Sequence, residues 1–254
     1  MTPATDRGAE PLYAVRGLTK RYGLRTVLDR LDFDVARGEC LVVLGRSGSG
    51  KSVTLRQLNG LEPPDEGRVE FEGVDLGELT ERELFPLRRR IAMLFQGGAL
   101  FDSMNVLENV AFPLREHSDL EEEEIRERVA EKLAMVDLEG IEEKMPADLS
   151  GGMKKRVALA RSLAMDPEVL LFDEPTTGLD PVTSATIGRL IKDVHTRLGA
   201  TAVVVTHDIP LARRVGDRLA FLSDGRFRFL GDWDAAEASD DAELAGFLAG
   251  REED

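Results

Sequence analysis

The sequence predicts an α/β fold with a mixed, largely parallel core sheet, an added antiparallel β element and a helical lobe. Three observations carry this. Residues 41–44 and 169–172 are apolar throughout, and 202–206 are apolar up to the closing Thr206, as strands are when a parallel sheet is covered on both faces. Between the second and third runs, Ile187, Leu190, Ile191, Val194 and Leu198 recur at helical spacing, which makes a strand, crossover helix, strand unit. From about 105 to 165 there is hardly any strand signal, so a lobe of helices is expected over about 100–165.

In chain order, residues 1–11 read as a disordered start, and 12–234 as one domain. The alternating stretches 31–35 and 68–71 suit half-exposed antiparallel strands. Thr80 followed by Glu83 has the capping-box spacing that opens a short helix, and Ser118 followed by Glu121 predicts a second, acidic helix to about Val136. The glutamates at 121–124 read as a solvated face rather than a metal site, because adjacent helical positions point in different directions. Residues 235–254 read as a helix and an acidic end.

Composition narrows the function. The 254 residues carry a formal net charge of -15, which argues against a nucleic-acid partner, since phosphate neutralisation needs a basic surface. The single cysteine, Cys40, adjoins an apolar run and is expected to be a small buried thiol, as suits a reducing cytosol. No stretch approaches the roughly eighteen apolar residues of a membrane span, and the opening residues lack an apolar signal core. Any membrane link is expected to come through another protein.

The run Gly45-Arg46-Ser47-Gly48-Ser49-Gly50-Lys51-Ser52 follows the first apolar strand directly. Its glycines let backbone N–H groups fold around phosphate oxygens, and the helix starting near Lys51 turns its positive end to the same anion. Lys51 is expected to reach the terminal phosphates of a nucleoside triphosphate. Ser52 offers a hydroxyl to Mg²⁺, a hard cation that binds phosphates plus one or two protein oxygens. The alternative is a chance Gly/Ser turn with a solvated lysine; the preceding strand and the helical pattern Val53, Leu55, Leu58 speak against it.

Asp173 and Glu174 end the apolar run 169–172, at the carboxyl edge where α/β sheets present ligands. Asp173 is expected to hold Mg²⁺ through its water shell and Glu174 to polarise the water attacking the γ-phosphate. Without the glycine loop, the same residues could be a plain exit from a strand. Ser150-Gly151-Gly152-Met153 is a second Gly-rich turn, leading into a helix with Val157, Ala160 and Ala164 on one face. It can accept an anion or serve as an ordinary N-cap.

Taken in order, the loop 45–52, Gln96, the turn 150–152, Asp173-Glu174, Gly178-Leu179-Asp180 and His207 resemble the ATP-binding cassette (ABC) ATPases, a branch of the P-loop NTPases, over about 12–231. The resemblance implies ATP and Mg²⁺ as ligands and a head-to-tail homodimer. In it, the phosphate loop of one subunit and the Ser150 turn of the other clamp each nucleotide. It implies that Tyr22 stacks on adenine, unless it is a partly buried strand tyrosine. Gln96 would touch Mg²⁺ and the attacking water, unless it is a buried strand-end glutamine. His207 would contact the γ-phosphate and hold Glu174, against an ordinary capping role. Asp180 would reach across the dimer, against a simple N-cap beside Pro181. His117 and His195 receive no role.

A narrower resemblance rests on residues 93–101, Met104-Asn105-Val106, residues 113–117, and Met153 where most cassettes carry glutamine. These look like the Mla or Mkl type, ATPase subunits of MCE-associated lipid transporters. The implied partners are a multi-spanning permease and an MCE-type lipid-binding protein, and the implied location is peripheral, on the cytoplasmic face of the cell membrane. Leu100, Phe101, Met104 and Val106 form an apolar set expected to dock the permease, or else to pack the helical lobe. Met153 lacks the side-chain amide of glutamine, although backbone N–H groups and the Ser150 hydroxyl can still bind phosphate. The chain ends soon after its last helix, so a handshake through a long C-terminal tail is not expected. A cassette serving another importer (of amino acids or phosphate, for example) shares every one of these catalytic residues. A soluble cassette acting on DNA or ribosomes is disfavoured by the acidic charge, and a non-hydrolysing scaffold by the presence of Lys51, Glu174 and His207.

Overall fold

The computed structural model describes residues 10–251. Most of the predicted disordered start and the last three acidic residues lie outside that span. The first strands, β1 (Tyr13–Tyr22) and β2 (Arg25–Val35), pair antiparallel. They lead to β3 (Cys40–Leu44) and α1 (Lys51–Leu58). Next come β4 (Glu66–Phe71), β5 (Val74–Asp75), α2 (Glu81–Arg88) and β6 (Ile91–Leu94). The helical lobe follows as α3 (Val106–His117), α4 (Glu122–Ala134) and α5 (Gly151–Leu163). The chain returns through β7 (Val169–Asp173), α6 (Pro181–Leu198), β8 (Thr201–Thr206) and α7 (Ile209–Val215). It closes with β9 (Arg218–Ser223), β10 (Arg226–Gly231), α8 (Trp233–Glu237) and α9 (Ala242–Leu248).

Two sheets result. One is antiparallel, ordered β2-β1-β4-β5; the other is mixed, ordered β10-β9-β3-β8-β7-β6. In the mixed sheet β6, β7, β8, β3 and β9 are parallel and only β10 runs the other way. The apolar strands alternate between two cores, which explains their unbroken hydrophobicity. Leu41, Val43, Leu171, Val203 and Val205 face the antiparallel sheet and α1. Val42, Leu44, Phe172, Ala202 and Val204 face the helices instead, where they join Val110, Val129, Val157 and Leu163 of the lobe. Register then sets the function edge. Leu44 pairs with Thr206 and Asp173 with Val205, so β3, β7 and β8 end level and their exit loops emerge side by side.

Thr80 and Glu83 form the expected box, Thr80 N donating to Glu83 Oε2 at 2.9 Å. The acidic helix differs from expectation. Glu121, not Ser118, is its N-cap, with Glu121 N donating to Glu124 Oε2 at 2.9 Å. Ser118 instead closes α3, its hydroxyl donating to Leu114 O at 2.7 Å. The glutamate three residues downstream decides between two candidate caps. At the C-terminus two short helices stand in place of one, because Asp232 and Asp241 each accept a backbone N–H and each starts its own helix.

Candidate active site

The turn between β3 and α1 needs glycine for steric reasons. A Cβ on Gly45 would come within 2.4 Å of Leu222 O, and Gly50, at φ 110, would place one 2.9 Å from Val27 O. No side chain caps α1, so its first N–H groups stay available to an anion. The buried Lys51 folds back over the loop. Its Nζ donates to Gly45 O at 2.8 Å and Arg46 O at 2.9 Å and lies 3.1 Å from Glu174 Oε1.

Ser52 Oγ donates to Asp173 Oδ1 at 2.7 Å, joining the start of α1 to the end of β7. Burial pushes the Asp173 carboxyl above its usual range, against the opposing bond from Ser52. Glu174, one residue on, adopts φ +48 and donates its N–H to Val205 O at 2.9 Å, so its side chain turns out of the strand end. Burial alone would raise its carboxyl too. The hydrogen bond to His207 and the charge of Lys51 outweigh that, and the net direction is down. Glu174 Oε2 lies 2.8 Å from His207 Nδ1, and this half-exposed imidazole also lines the cavity.

These groups surround a cavity of about 890 Å³. Arg46, Ser47, Gly48, Gly50, Lys51 and Ser52 form one wall, with Glu174, His207 and Gln96 facing them and Tyr22 at the margin. Gln96 is exposed, which excludes the buried strand-end alternative; its carbonyl accepts from Lys155 Nζ of α5. The half-exposed Tyr22 donates to Glu62, and desolvation together with Glu62 pushes its hydroxyl up to about 12. Gly45, Ser49 and Asp173 are not on the wall: they stand behind it, with Ser49 Oγ buried.

The Ser150 turn and Asp180 do not reach this cavity within the chain. Ser150 Oγ accepts from Met153 N at 3.3 Å and starts α5. Asp180 Oδ1 caps α6, accepting from Val182 N and Thr183 N at 3.0 Å each. The two turns pack on one another, since a Cβ on Gly152 would meet Thr183 Cγ2 at 2.5 Å. Together they form a second corner, exposed at Ser150, Gly151 and Asp180. Of the four residues expected to dock a permease, Phe101 is exposed, Leu100 and Met104 are partly buried, and Val106 is fully buried in the lobe. Val106 therefore belongs to the packing alternative.

Several site residues escape a reading of motifs. Thr176 Oγ1 donates to Asp208 Oδ2 at 2.9 Å, and Asp208 also accepts from Leu211 N to cap α7, so His207 sits in a braced loop. Asp208 followed by Ile209-Pro210 is a helix-start signal that could have flagged it. Arg25, Val27, Phe247, Gly250 and Arg251 also line the cavity, brought there from distant sequence positions with no local signature.

A glycine cradle with its lysine, two strand-end acids, a histidine and a remote serine-glycine corner, on this pair of sheets, define an ABC ATPase. Residues 28–177 match the family model described as ABC transporter, and the chain belongs to that family, within its Mla/Mkl group. It is 44% identical over 237 residues to the probable ribonucleotide transport ATP-binding protein mkl of Mycobacterium leprae, covering 93% of this chain and 68% of that protein. The Mycobacterium tuberculosis counterpart is covered to 66% of its length, just under two thirds. To the intermembrane phospholipid transport system ATP-binding protein MlaF of Escherichia coli it is 39% identical over 245 residues, covering 96% and 91%. Among solved structures, dimeric MJ0796, a bacterial ABC transporter cassette, superposes with TM-score 0.80 at 36% identity, covering 87% of this chain and 98% of that one. CbiO1 of Clostridium perfringens gives TM-score 0.83 at 31% identity, covering 94% and 96%.

Proposed function

We propose that this chain is the ATP-hydrolysing subunit of a lipid transporter, working as a head-to-tail pair that drives a multi-spanning permease together with an MCE-type lipid-binding protein. One observation carries the catalytic part: Lys51, Glu174 and His207 converge on a single cavity, while the Ser150 corner lies outside its lining. A second copy brings that corner to the cavity, and two equivalent sites form. The solved dimers of MJ0796, one of them bound to ADP and Pi, support this arrangement.

Ser52 Oγ and Asp173 Oδ1 are neighbouring hard oxygens, and no cluster of three metal-binding side chains stands alone among the described residues. That donor set fits Mg²⁺ completed by phosphate oxygens and water, with Gln96 on the facing wall. When bound, Mg²⁺ draws charge off the phosphates. Lys51 and the α1 N–H groups bind the phosphates, and Tyr22 offers its ring to the base. Glu174, ionised, orients the attacking water and accepts hydrogen-bonding from it. His207 holds Glu174 through Nδ1 and turns its other ring nitrogen to the γ-phosphate. Ser150, Gly151 and Gly152 of the second copy close the site, with Asp180 beside them.

The phospholipid cargo rests on the likeness to MlaF, which covers nearly the whole of both chains. A ribonucleotide cargo is the second reading, favoured by the mycobacterial relatives, probable ribonucleotide transport proteins at higher identity. Among the described residues no helix is long and apolar enough to cross a membrane, which agrees with attachment through a permease. Purification of the tagged chain from detergent-solubilised membranes tests the proposal. Recovery of a permease with an MCE-type protein supports it, and recovery of a permease from another importer class overturns the lipid assignment.

A further inference from the structure

The segment between β6 and α3 has the length of a loop but is held from two sides. Its backbone turns at Gly98 (φ 75) and Ala99 (φ 48), then again where Met104 N donates to Phe101 O at 3.1 Å. From α3, the fully buried Asn109 takes Phe101 N on its Oδ1 at 2.8 Å. Its Nδ2 lies 2.9 Å from Met104 O, 3.0 Å from Asn105 O and 3.1 Å from Phe101 O. From α5, Arg161 donates to Gly98 O at 3.0 Å and places its guanidinium 5.5 Å from the Phe101 ring centroid. Lys155, between one and two turns nearer the Ser150 end, donates to the backbone O of Gln96. Phe112 of α3 also packs against the Phe101 ring, centroids 4.9 Å apart.

A helix-start asparagine or a surface arginine needs none of this. A buried amide that meets both the N–H and the C=O of one exposed residue fixes that residue's backbone, and an arginine over its ring fixes the side chain. Arg161 also lies on the helix that opens with the Ser150 turn, so whatever moves that turn pulls on Gly98 and Phe101.

We infer that Asn109 and Arg161 are positioning residues that join the segment 96–105 to α5 as one body, so that displacement of the Ser150 turn is carried to Phe101. The inference rests on the proposed role of that turn as a phosphate contact of the second copy. It extends that role to two residues that touch neither phosphate nor partner.

Hydrogen exchange followed by mass spectrometry on the full chain tests it, in a Glu174→Gln background with and without ATP and Mg²⁺. Without nucleotide, Asn109→Ala and Arg161→Met each speed exchange in peptides covering 99–105 by about tenfold, the loss of roughly one buried hydrogen-bond network, and leave peptides of the core strands unchanged. With ATP, the parent gains protection in 150–158 and 96–105 together. Arg161→Met keeps the first response and loses the second, and Arg161→Lys, which keeps the charge and one donor, restores it. In the otherwise unmodified chain both variants hydrolyse ATP within about twofold of the parent, which excludes global damage. Unchanged exchange at 99–105, or an undiminished ATP response there in Arg161→Met, overturns the inference alone. A parent whose 150–158 peptides ignore ATP overturns the reading of the Ser150 turn and the transmission with it.

Discussion

The Lys51 ammonium stands 3.1 Å from Oε1 of Glu174, so a single buried ion pair ties the phosphate loop to the carboxylate beyond β7. The pair lets one residue reset the charge of the other. Removing Lys51 strands a mostly buried carboxylate, which is the costly way to break such a pair, about 3 to 5 kcal/mol at most. Lys51→Ala should therefore abolish tight ATP binding and cut turnover on the order of 10²-fold or more, measured by nucleotide binding and phosphate release. Normal turnover would remove the loop from the active site. The acid limb of stability should change as well. The Glu174 carboxyl is held below its ordinary value of 4.5, so its contribution is present above that value and lost as pH falls through the lower folded one. In Lys51→Ala this limb should move to higher pH in urea unfolding curves.

Glu174→Gln keeps the size and one acceptor of the side chain but removes the charge to which we assign the orienting of water. Turnover should fall about 10²- to 10⁴-fold while ATP binding survives, and the variant should sediment as a dimer when ATP and Mg²⁺ are supplied. A variant that stays monomeric with ATP bound would rule out the head-to-tail clamp.

Asp173 presents the opposite balance. Burial raises its carboxyl, so above the unfolded value its ionisation costs the folded chain stability. Asp173→Asn should accordingly leave the nucleotide-free protein as stable as the parent or more so in thermal unfolding at neutral pH. Mg²⁺-dependent turnover should nevertheless be lost. A marked drop in stability would show that the Ser52 bond, and not desolvation, dominates there.

His195 lies buried on α6, and neither of its ring nitrogens has a hydrogen-bond partner among the described residues. Burial lowers its basicity against a smaller opposing effect of Asp217, with Lys192 adding to the lowering. Above the ordinary value of 6.5 it is neutral folded or unfolded and contributes nothing to pH dependence. Below it, the unfolded chain takes the proton first, and stability falls until the lower folded value is passed. The urea midpoint should drop more between pH 7.5 and pH 5.5 in the parent than in His195→Leu; equal drops would assign the acid sensitivity elsewhere.

Phe101→Ala should leave basal hydrolysis within about twofold and reduce stimulation by the membrane partner. Leu100→Ala is a poorer probe, because Leu100 packs on the helical core and its loss carries a stability cost. Equal loss of basal and stimulated rates in Phe101→Ala would show that the residue serves folding.

The sequence made the parallel core and the catalytic edge legible for one reason: buried strands leave continuous apolar runs, and special backbone leaves glycines beside them. Residues 41–52 show both signals at once, and 169–174 show the apolar run ended by two acids. Where an element is amphipathic, the reading loses resolution. Val106 looks like part of an exposed apolar set because polar Asp102, Ser103 and Asn105 precede it, yet it is the first inward position of α3. Ser118 and Glu121 are both plausible caps, and only the partner at 124 separates them. The β9–β10 hairpin does carry a local sign, the Asp224-Gly225 turn at φ 47 and 73, whereas the pairing of Thr176 with Asp208 and the approach of Phe247 and Arg251 to the cavity arise from tertiary folding.

Cys40 is the chain's one cysteine and lies fully enclosed at the start of β3, its thiol kept protonated by burial. Alkylating and spin-label reagents therefore have no native handle on the folded molecule. A cysteine introduced at an exposed position will be labelled alone, so probe-to-probe distances across a pair of these subunits can be followed through the catalytic cycle in the otherwise unaltered protein.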